Sequence, residues 1–272
     1  MTYHKRRRRS KARNRWHWQS WLLGIFALFF VVFLVAVSFF TDLFRIGWLW
    51  IGGSSDNWSA RSSRQERMDY DGIDVSRYQG KIDWSRVAAD RAIQFVYIKA
   101  TEGSTLVDPY YHRNMREANS YHLNVGSYHY VTSQTSIRSQ FKSFTEAMSK
   151  HRQTLKPVLD IEADGVRKWS RKQAQDSLQL FVDLMKAKYG VTPIIYTYTN
   201  YYNKMLAPKF NRLHLFIAQY NKIPPVIKGV GKHNVWQHTD RGFVDGIDRP
   251  VDLNIFAEGT TLEDLLMPQG NE

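Results

Sequence analysis

From Tyr70 to Pro268 the chain alternates eight short apolar runs with segments of helical spacing. This alternation restricts the possible folds more than any other property of the sequence. The candidate strands are Gly72–Ser76, Gln94–Ala100, Asn124–Tyr130, Pro157–Glu162, Pro193–Thr197, Leu213–Gln219, Asn234–Gln237 and Val251–Asn254. Candidate helices lie between most of them: Trp84–Arg91, Tyr110–Tyr121, Ser136–His151, Ser170–Tyr189 and Tyr201–Leu206. The fourth helix carries the fullest set of signals. Ser170 and Gln173 form a capping box, Leu178, Phe181, Val182 and Met185 recur at helical spacing, and Gly190 is placed to end it. Strands that alternate with helices bury their apolar faces as a mostly parallel sheet with helices outside. About 200 residues is lean for a complete eightfold barrel, and the helical pattern thins after Leu206. The expected α/β fold is therefore an irregular, TIM-like β/α barrel, depleted of helices toward its C-terminal part.

Acids mark the ends of these runs. Asp74 lies in GIDVS, Asp160 and Glu162 in KPVLDIE, and Asp252 in PVDLNIF, with Glu102 just past another run. An ionised carboxylate at a strand end must be solvated, paired or used. The side-chain period of two puts Asp160 and Glu162 on one face and Leu159 and Ile161 on the other. Two such charges side by side raise the pKa of one of them, and a protonated acid beside an ionised one suits glycoside hydrolysis. Any single one of these acids could instead cap a helix or pair with a basic residue. Together they fall where barrel enzymes gather their chemistry, at the C-terminal ends of strands.

Tyr128, Tyr130, Tyr196, Tyr220 and Trp236 also fall at strand ends, with Gln237 adjacent to the last. Such rings can pack on the C–H faces of a sugar while their polar tips hydrogen-bond hydroxyls; core packing is the competing role for each. Glu102 could line the same cleft or pair with Lys99. His129, flanked by two tyrosines, reads as a hydrogen-bonded wall residue and not a base. Asp83, Asp108, Asp164, Asp245 and Asp248 read as turn or cap acids.

There is no cysteine, which excludes disulfides, thiolate metal sites and a cysteine nucleophile. The nine histidines include no HExxH pattern, so neither a metal nor another cofactor is expected. The net charge of +13 is concentrated at one end: residues 1–40 hold eight Lys or Arg and no acid. The rest is only mildly basic, so nucleic acid is not an expected partner. After the basic residues 1–20, residues 21–40 carry no charge, and a helix of that length matches the roughly 30 Å hydrocarbon core. The expectation is a single-pass transmembrane helix at 21–40 with its basic flank in the cytoplasm and the following domain outside. Residues 41–69 form a linker, and a catalytic domain spans 70–268. A cleaved signal peptide is the competing reading, with Ala36-Val37-Ser38 as the small-x-small site.

The ordered set DGIDVSRYQG (71–80), FVYIKATEG (95–103), GSYHY (126–130), PVLDIE (157–162), PIIYT (193–197), FIAQY (216–220), VWQH (235–238) and VDLNIF (251–256) resembles the family 25 glycoside hydrolases, the Chalaropsis-type lysozymes. The resemblance implies an irregular β/α barrel that cleaves the β-1,4 bond between N-acetylmuramic acid and N-acetylglucosamine in peptidoglycan. It implies Glu162 as general acid. Asp160 would be its neighbour, raising its pKa and orienting the substrate's acetamido group or a water, and Asp74 and Asp252 would complete an acidic floor. It leaves the course of the second chemical step and the oligomeric state open. A non-catalytic, membrane-anchored peptidoglycan-binding module is the alternative; the presence of both Asp160 and Glu162 argues against it.

Overall fold

The computed structural model describes residues 69–268. Nine strands form one sheet: β1 (Gly72–Val75), β2 (Phe95–Glu102), β3 (Leu106–Val107), β4 (Val125–Tyr130), β5 (Val158–Asp160), β6 (Ile194–Tyr198), β7 (Leu215–Ala218), β8 (Val235–Gly242) and β9 (Val251–Phe256). Their order is β1-β9-β8-β7-β6-β5-β4-β2-β3, and a further pairing of β1 with β2 closes eight of them into a barrel. Only β3 stands outside the closure, as a short hairpin on β2. The steps from β1 through β2, β4, β5, β6, β7 and β8 are parallel. Strand β9 runs antiparallel to both of its neighbours.

The helices are α1 (Trp84–Ala89), α2 (Tyr111–Ser120), α3 (Ile137–Met148), α4 (Arg171–Tyr189) and α5 (Thr199–Tyr201), which continues as a π-helical turn over Tyr202–Leu206. Their ends follow from local chemistry. Asp83 caps α1 by accepting from Ser85 and Arg86 backbone N–H groups. Ser136 caps α3. The Ser170/Gln173 box opens α4, and Gly190 ends it at φ 68°, a left-handed turn that glycine takes without strain.

Closure divides the apolar residues into two compartments, because successive strand side chains face opposite ways. Phe95, Tyr97, Val158, Tyr196, Phe216 and Val235 fill the barrel. Val96, Ile98, Leu159 and Ile195 face outward and pack with Leu178, Phe181 and Met185 of α4. Leu155 and Leu265 join the inner group where β5 begins. A side chain on Gly126 would run into the Tyr97 ring at 2.6 Å and into Leu155 at 2.9 Å, so β4 must be bare there. The barrel is therefore plugged at the end where the parallel strands start and free at the end where they finish.

Several boundaries shift from the sequence expectation. Strand β5 stops at Asp160, leaving Ile161 and Glu162 in the segment between the strand and the turn that follows. Strand β2 extends to Glu102, with a bulge between Lys99 and Thr101. The expected transmembrane helix at 21–40, the basic tail and nearly all of the linker lie outside the described residues. Among the described residues no helix is long and apolar enough to cross a membrane.

Candidate active site

Strand periodicity aims the acids inward. Asp74 stands between Ile73 and Val75, both of which face the helices. Asp252 stands between the outward-facing Val251 and Leu253 in the same way. Asp160 follows outward-facing Leu159. Asp74 and Asp252 sit opposite each other across the β1–β9 ladder. Because β9 is antiparallel, its beginning lies at the end where the other strands finish. Asp252 thus reaches the mouth from the start of a strand and not from its end.

The open mouth holds a cleft of about 390 Å³ lined by Asp74, Asp160, Glu162 and Asp252, with Tyr97, Tyr128, Tyr196 and Tyr220 as aromatic walls. Gln237 joins these pieces. Its Oε1 accepts from the hydroxyls of Tyr196 at 2.8 Å and Tyr220 at 2.6 Å. Its Nε2 donates to Asp74 Oδ2 at 2.8 Å. Asn254 Nδ2 donates to the same oxygen at 3.0 Å. Two amide donors on one carboxylate oxygen favour the ionised form of Asp74. Burial pushes Asp74 the other way, and its pKa is raised on balance. Asp252, hydrogen-bonded to Asp74, is raised to about 9, by burial first and then by the Asp74 charge. The proton of this pair accordingly rests on Asp252.

The second pair is Asp160 and Glu162, which are hydrogen-bonded. Asp160 is the deeper, and burial together with the Glu162 charge lifts its pKa well above the usual range. Glu162, half-buried at the cleft wall, is raised to about 7. Burial is the largest cause, with Asp164 and Asp74 adding to it. Lys99 and the hydrogen bond from Asp160 act in the opposite direction. Both carboxyls of this pair are thus held above their ordinary range, with burial as the largest cause for each. Asp160 Oδ1 and the Tyr97 hydroxyl are buried without a protein partner.

Three expected cleft residues stand elsewhere. Glu102 pairs with Lys99 at 2.8 Å and is not among the residues lining the cleft. The bulge after Lys99 changes the phase of β2 and lets the two side chains meet. Trp236 alternates with inward-facing Gln237, so it points out of the barrel, where its indole N–H donates to the Gln219 carbonyl at 2.8 Å. Tyr130 carries Lys99 over its ring at 4.8 Å and is absent from the lining. His129 is fully buried between Phe144 and Phe181. Gln140 Oε1 also accepts from the Thr132 N–H, so His129 donates to it from Nε2 and accepts from Thr101 at Nδ1. Burial holds its pKa down at about 3, a structural role.

The cleft also contains residues that the sequence reading passed over: Tyr78, Tyr198 and Asp240 on its lining, and Asn254 beneath Asp74. Tyr198 packs edge-on against Tyr220, with ring centres 5.7 Å apart. It shares the parity of Tyr196 along β6, which was a usable signal. Nothing local marked Tyr78, an exposed residue of a 3-10 turn.

Gln237 offers a direct check on this wiring. Gln237→Glu keeps both phenol bonds but loses the donor to Asp74. A hydrogen bond to a charged group is worth roughly 1.5–3 kcal/mol. The variant is expected to lose about 10- to 100-fold in kcat, with KM little changed. Unaltered kcat in steady-state kinetics would show that Asp74 does not depend on this bond.

Carboxyls that keep protons near neutrality, set beside ionised ones in a groove walled by tyrosines, are the working parts of a glycoside hydrolase. Comparison with known proteins agrees. The chain belongs to the glycosyl hydrolases family 25, whose model matches residues 73–247. It is 39% identical over 196 residues to the uncharacterized protein YegX of Escherichia coli K12, covering 71% of each chain. It is 32% identical over 194 residues to the autolytic lysozyme of Clostridium acetobutylicum, covering 69% of this chain and 56% of that one. The crystal structure of a bacterial lysozyme from Streptomyces coelicolor superposes with a TM-score of 0.65 at 29% identity, covering 71% of this chain and 93% of that one.

Proposed function

We propose that the protein is a muramidase that hydrolyses the β-1,4 bond between N-acetylmuramic acid and N-acetylglucosamine in peptidoglycan glycan strands. The observation that carries this reading is Glu162: a half-buried acid at the cleft wall, raised to about 7. At neutral pH such an acid can give a proton to the leaving glycosidic oxygen and take one back. As the bond breaks, positive charge develops on the sugar ring. Asp74, whose carboxylate is held by Gln237 and Asn254, supplies a fixed anion in the same cleft. Asp160 and Tyr97 hold their unpartnered buried atoms ready for the polar substituents of the sugar. Tyr128, Tyr196, Tyr198 and Tyr220 provide ring faces and hydroxyls for the glycan. The likeness to proteins named as lysozymes supports the choice of peptidoglycan as substrate.

The test is digestion of purified peptidoglycan, followed by borohydride reduction and mass analysis of the fragments. Muramitol ends are the expected result. Glucosaminitol ends would reassign the enzyme as a glucosaminidase, and anhydro ends as a lytic transglycosylase.

The pH profile gives a second test. An acid that must be protonated to act loses function as pH rises through its pKa. Activity, measured as kcat/KM, is expected to fall on the alkaline side with a midpoint near Glu162's value of about 7. A profile flat between about pH 6 and 9 would remove Glu162 from the acid role.

The same reading includes the location. The uncharged run 21–40 behind a basic tract supports a single-pass inner-membrane protein, with its catalytic domain on the outer side of that membrane and its action confined to wall close by. Cell fractionation tests it: a mature soluble species that begins near Phe39 would overturn it.

A further inference from the structure

The long crossover between β7 and β8 carries chemistry that the cleft does not use. It leaves the barrel just past cleft-lining Tyr220 and returns at Asn234. Between these points there is no acid, and three lysines stand exposed: Lys222, Lys228 and Lys232. Interleaved with them, Ile223 is 67% exposed, Val226 73% and Val230 96%. Isolated apolar residues on a surface need no explanation, but three aliphatic side chains in one loop do.

This loop is held in shape. Pro225 and Ile227 are buried and anchor it. Asn203 donates to the Val226 carbonyl at 2.8 Å and accepts from the Lys228 N–H at 2.7 Å. Asn211 donates to the carbonyls of Lys228 and Val230 at 3.0 and 2.9 Å. Gln219 donates to the Ile223 carbonyl at 2.6 Å. The polar side chains beneath the loop satisfy its backbone, while its aliphatic side chains face solvent. The arrangement presents them; a loop free to collapse would cover them.

We infer that this crossover is a docking surface for an anionic lipid bilayer, with the aliphatic residues entering the interface and the lysines meeting lipid phosphates. Both halves of the chemistry are needed for that occupant. Lysines alone would suit any polyanion, including an anionic wall polymer. Exposed Ile and Val side chains gain little from a hydrated polymer and much from the acyl boundary, where apolar area leaves water. Each lysine near an anionic leaflet adds further attraction that salt weakens. The inference is independent of the catalytic reading. It adds that the domain itself, and not only a tether, contacts the membrane.

The absence of native cysteine makes the test clean. In the full chain, Val230→Cys is labelled with an environment-sensitive fluorophore, and Ser149→Cys, after α3, serves as the reference position. Each is mixed with vesicles of phosphatidylcholine alone or with added phosphatidylglycerol. The expected result is a blue shift and quenching by a bilayer-embedded quencher at position 230, only with phosphatidylglycerol and weakened by salt, while position 149 stays wet. Combining the label with Lys222→Glu, Lys228→Glu and Lys232→Glu is expected to abolish the shift and to leave hydrolysis of soluble peptidoglycan fragments unchanged. A label at 230 that stays as wet as the one at 149 on every vesicle overturns the inference. So does a response at 230 to a soluble anionic polymer with none to lipid.

Discussion

Glu162→Gln is expected to lower kcat on peptidoglycan by about 10²- to 10⁴-fold, the range for loss of a positioned general acid. Glutamine keeps the shape and can still bond Asp160, so glycan binding should survive. The variant separates a catalytic barrel from one that only holds glycan: near-normal turnover would refute the acid role. A second readout comes from linkage. Glu162 rises from an ordinary 4.5 to about 7 on folding. The native state therefore binds more protons than the unfolded state between these values, and stability falls as pH climbs through that window. Asp252 acts in the same sense up to about 9. Glu162→Gln removes the first of these penalties. The variant should unfold at a higher temperature than the parent above about pH 7, and the gap should close toward pH 4. A gain confined to low pH would contradict the burial that places Glu162 where it is.

Phe181→Ala is expected to destabilise the domain by about 3–5 kcal/mol, the range for emptying a large buried aromatic site. Phe181 is fully buried on α4. Its ring stands 5.2 Å from His129, 5.9 Å from Phe141 and 6.3 Å from Phe144, so it joins α4 to α3 and to β4. Equilibrium unfolding in guanidinium, with the slope unchanged and the midpoint lowered, would measure the loss. A change under about 1 kcal/mol would mean that neighbours collapse into the space, and that the helical layer is not fixed by this contact. The variant should also loosen His129. That side chain is kept neutral by burial at a pKa of about 3, so it lowers stability as pH falls below its ordinary 6.5. This acid sensitivity should diminish once the cavity admits water.

What the sequence disclosed was governed by short-range rules. Helix α4 was readable from its capping box, its apolar spacing and its terminal glycine, all local signals. The acids were readable because charge interrupting apolar runs needs a reason. The errors share a cause: parity or partners set by the rest of the fold. Gln237 and Trp236 are adjacent, so period two forbids both from entering the cleft, and applying that rule would have excluded the tryptophan. For Glu102 the choice between cleft and Lys99 stayed open in the sequence, because the bulge that decides it is invisible in composition. Asn254 was missed because its value lies in a bond to Asp74, far away in the chain. The relative depth of Asp160 and Glu162, which sets how strongly burial acts on each, was not readable because depth exists only in three dimensions.

The reversed direction of β9 has a further consequence for when activity can exist. One of the two partners in the Asp74–Asp252 pair arrives on the last strand of the barrel, the same strand that seals it against β1. A polypeptide still emerging from the ribosome, or clipped before Val251, lacks both the seam and the second acid. Wall-cutting competence is thereby tied to the arrival of this one strand, which brings the barrel's seam and the second acid together.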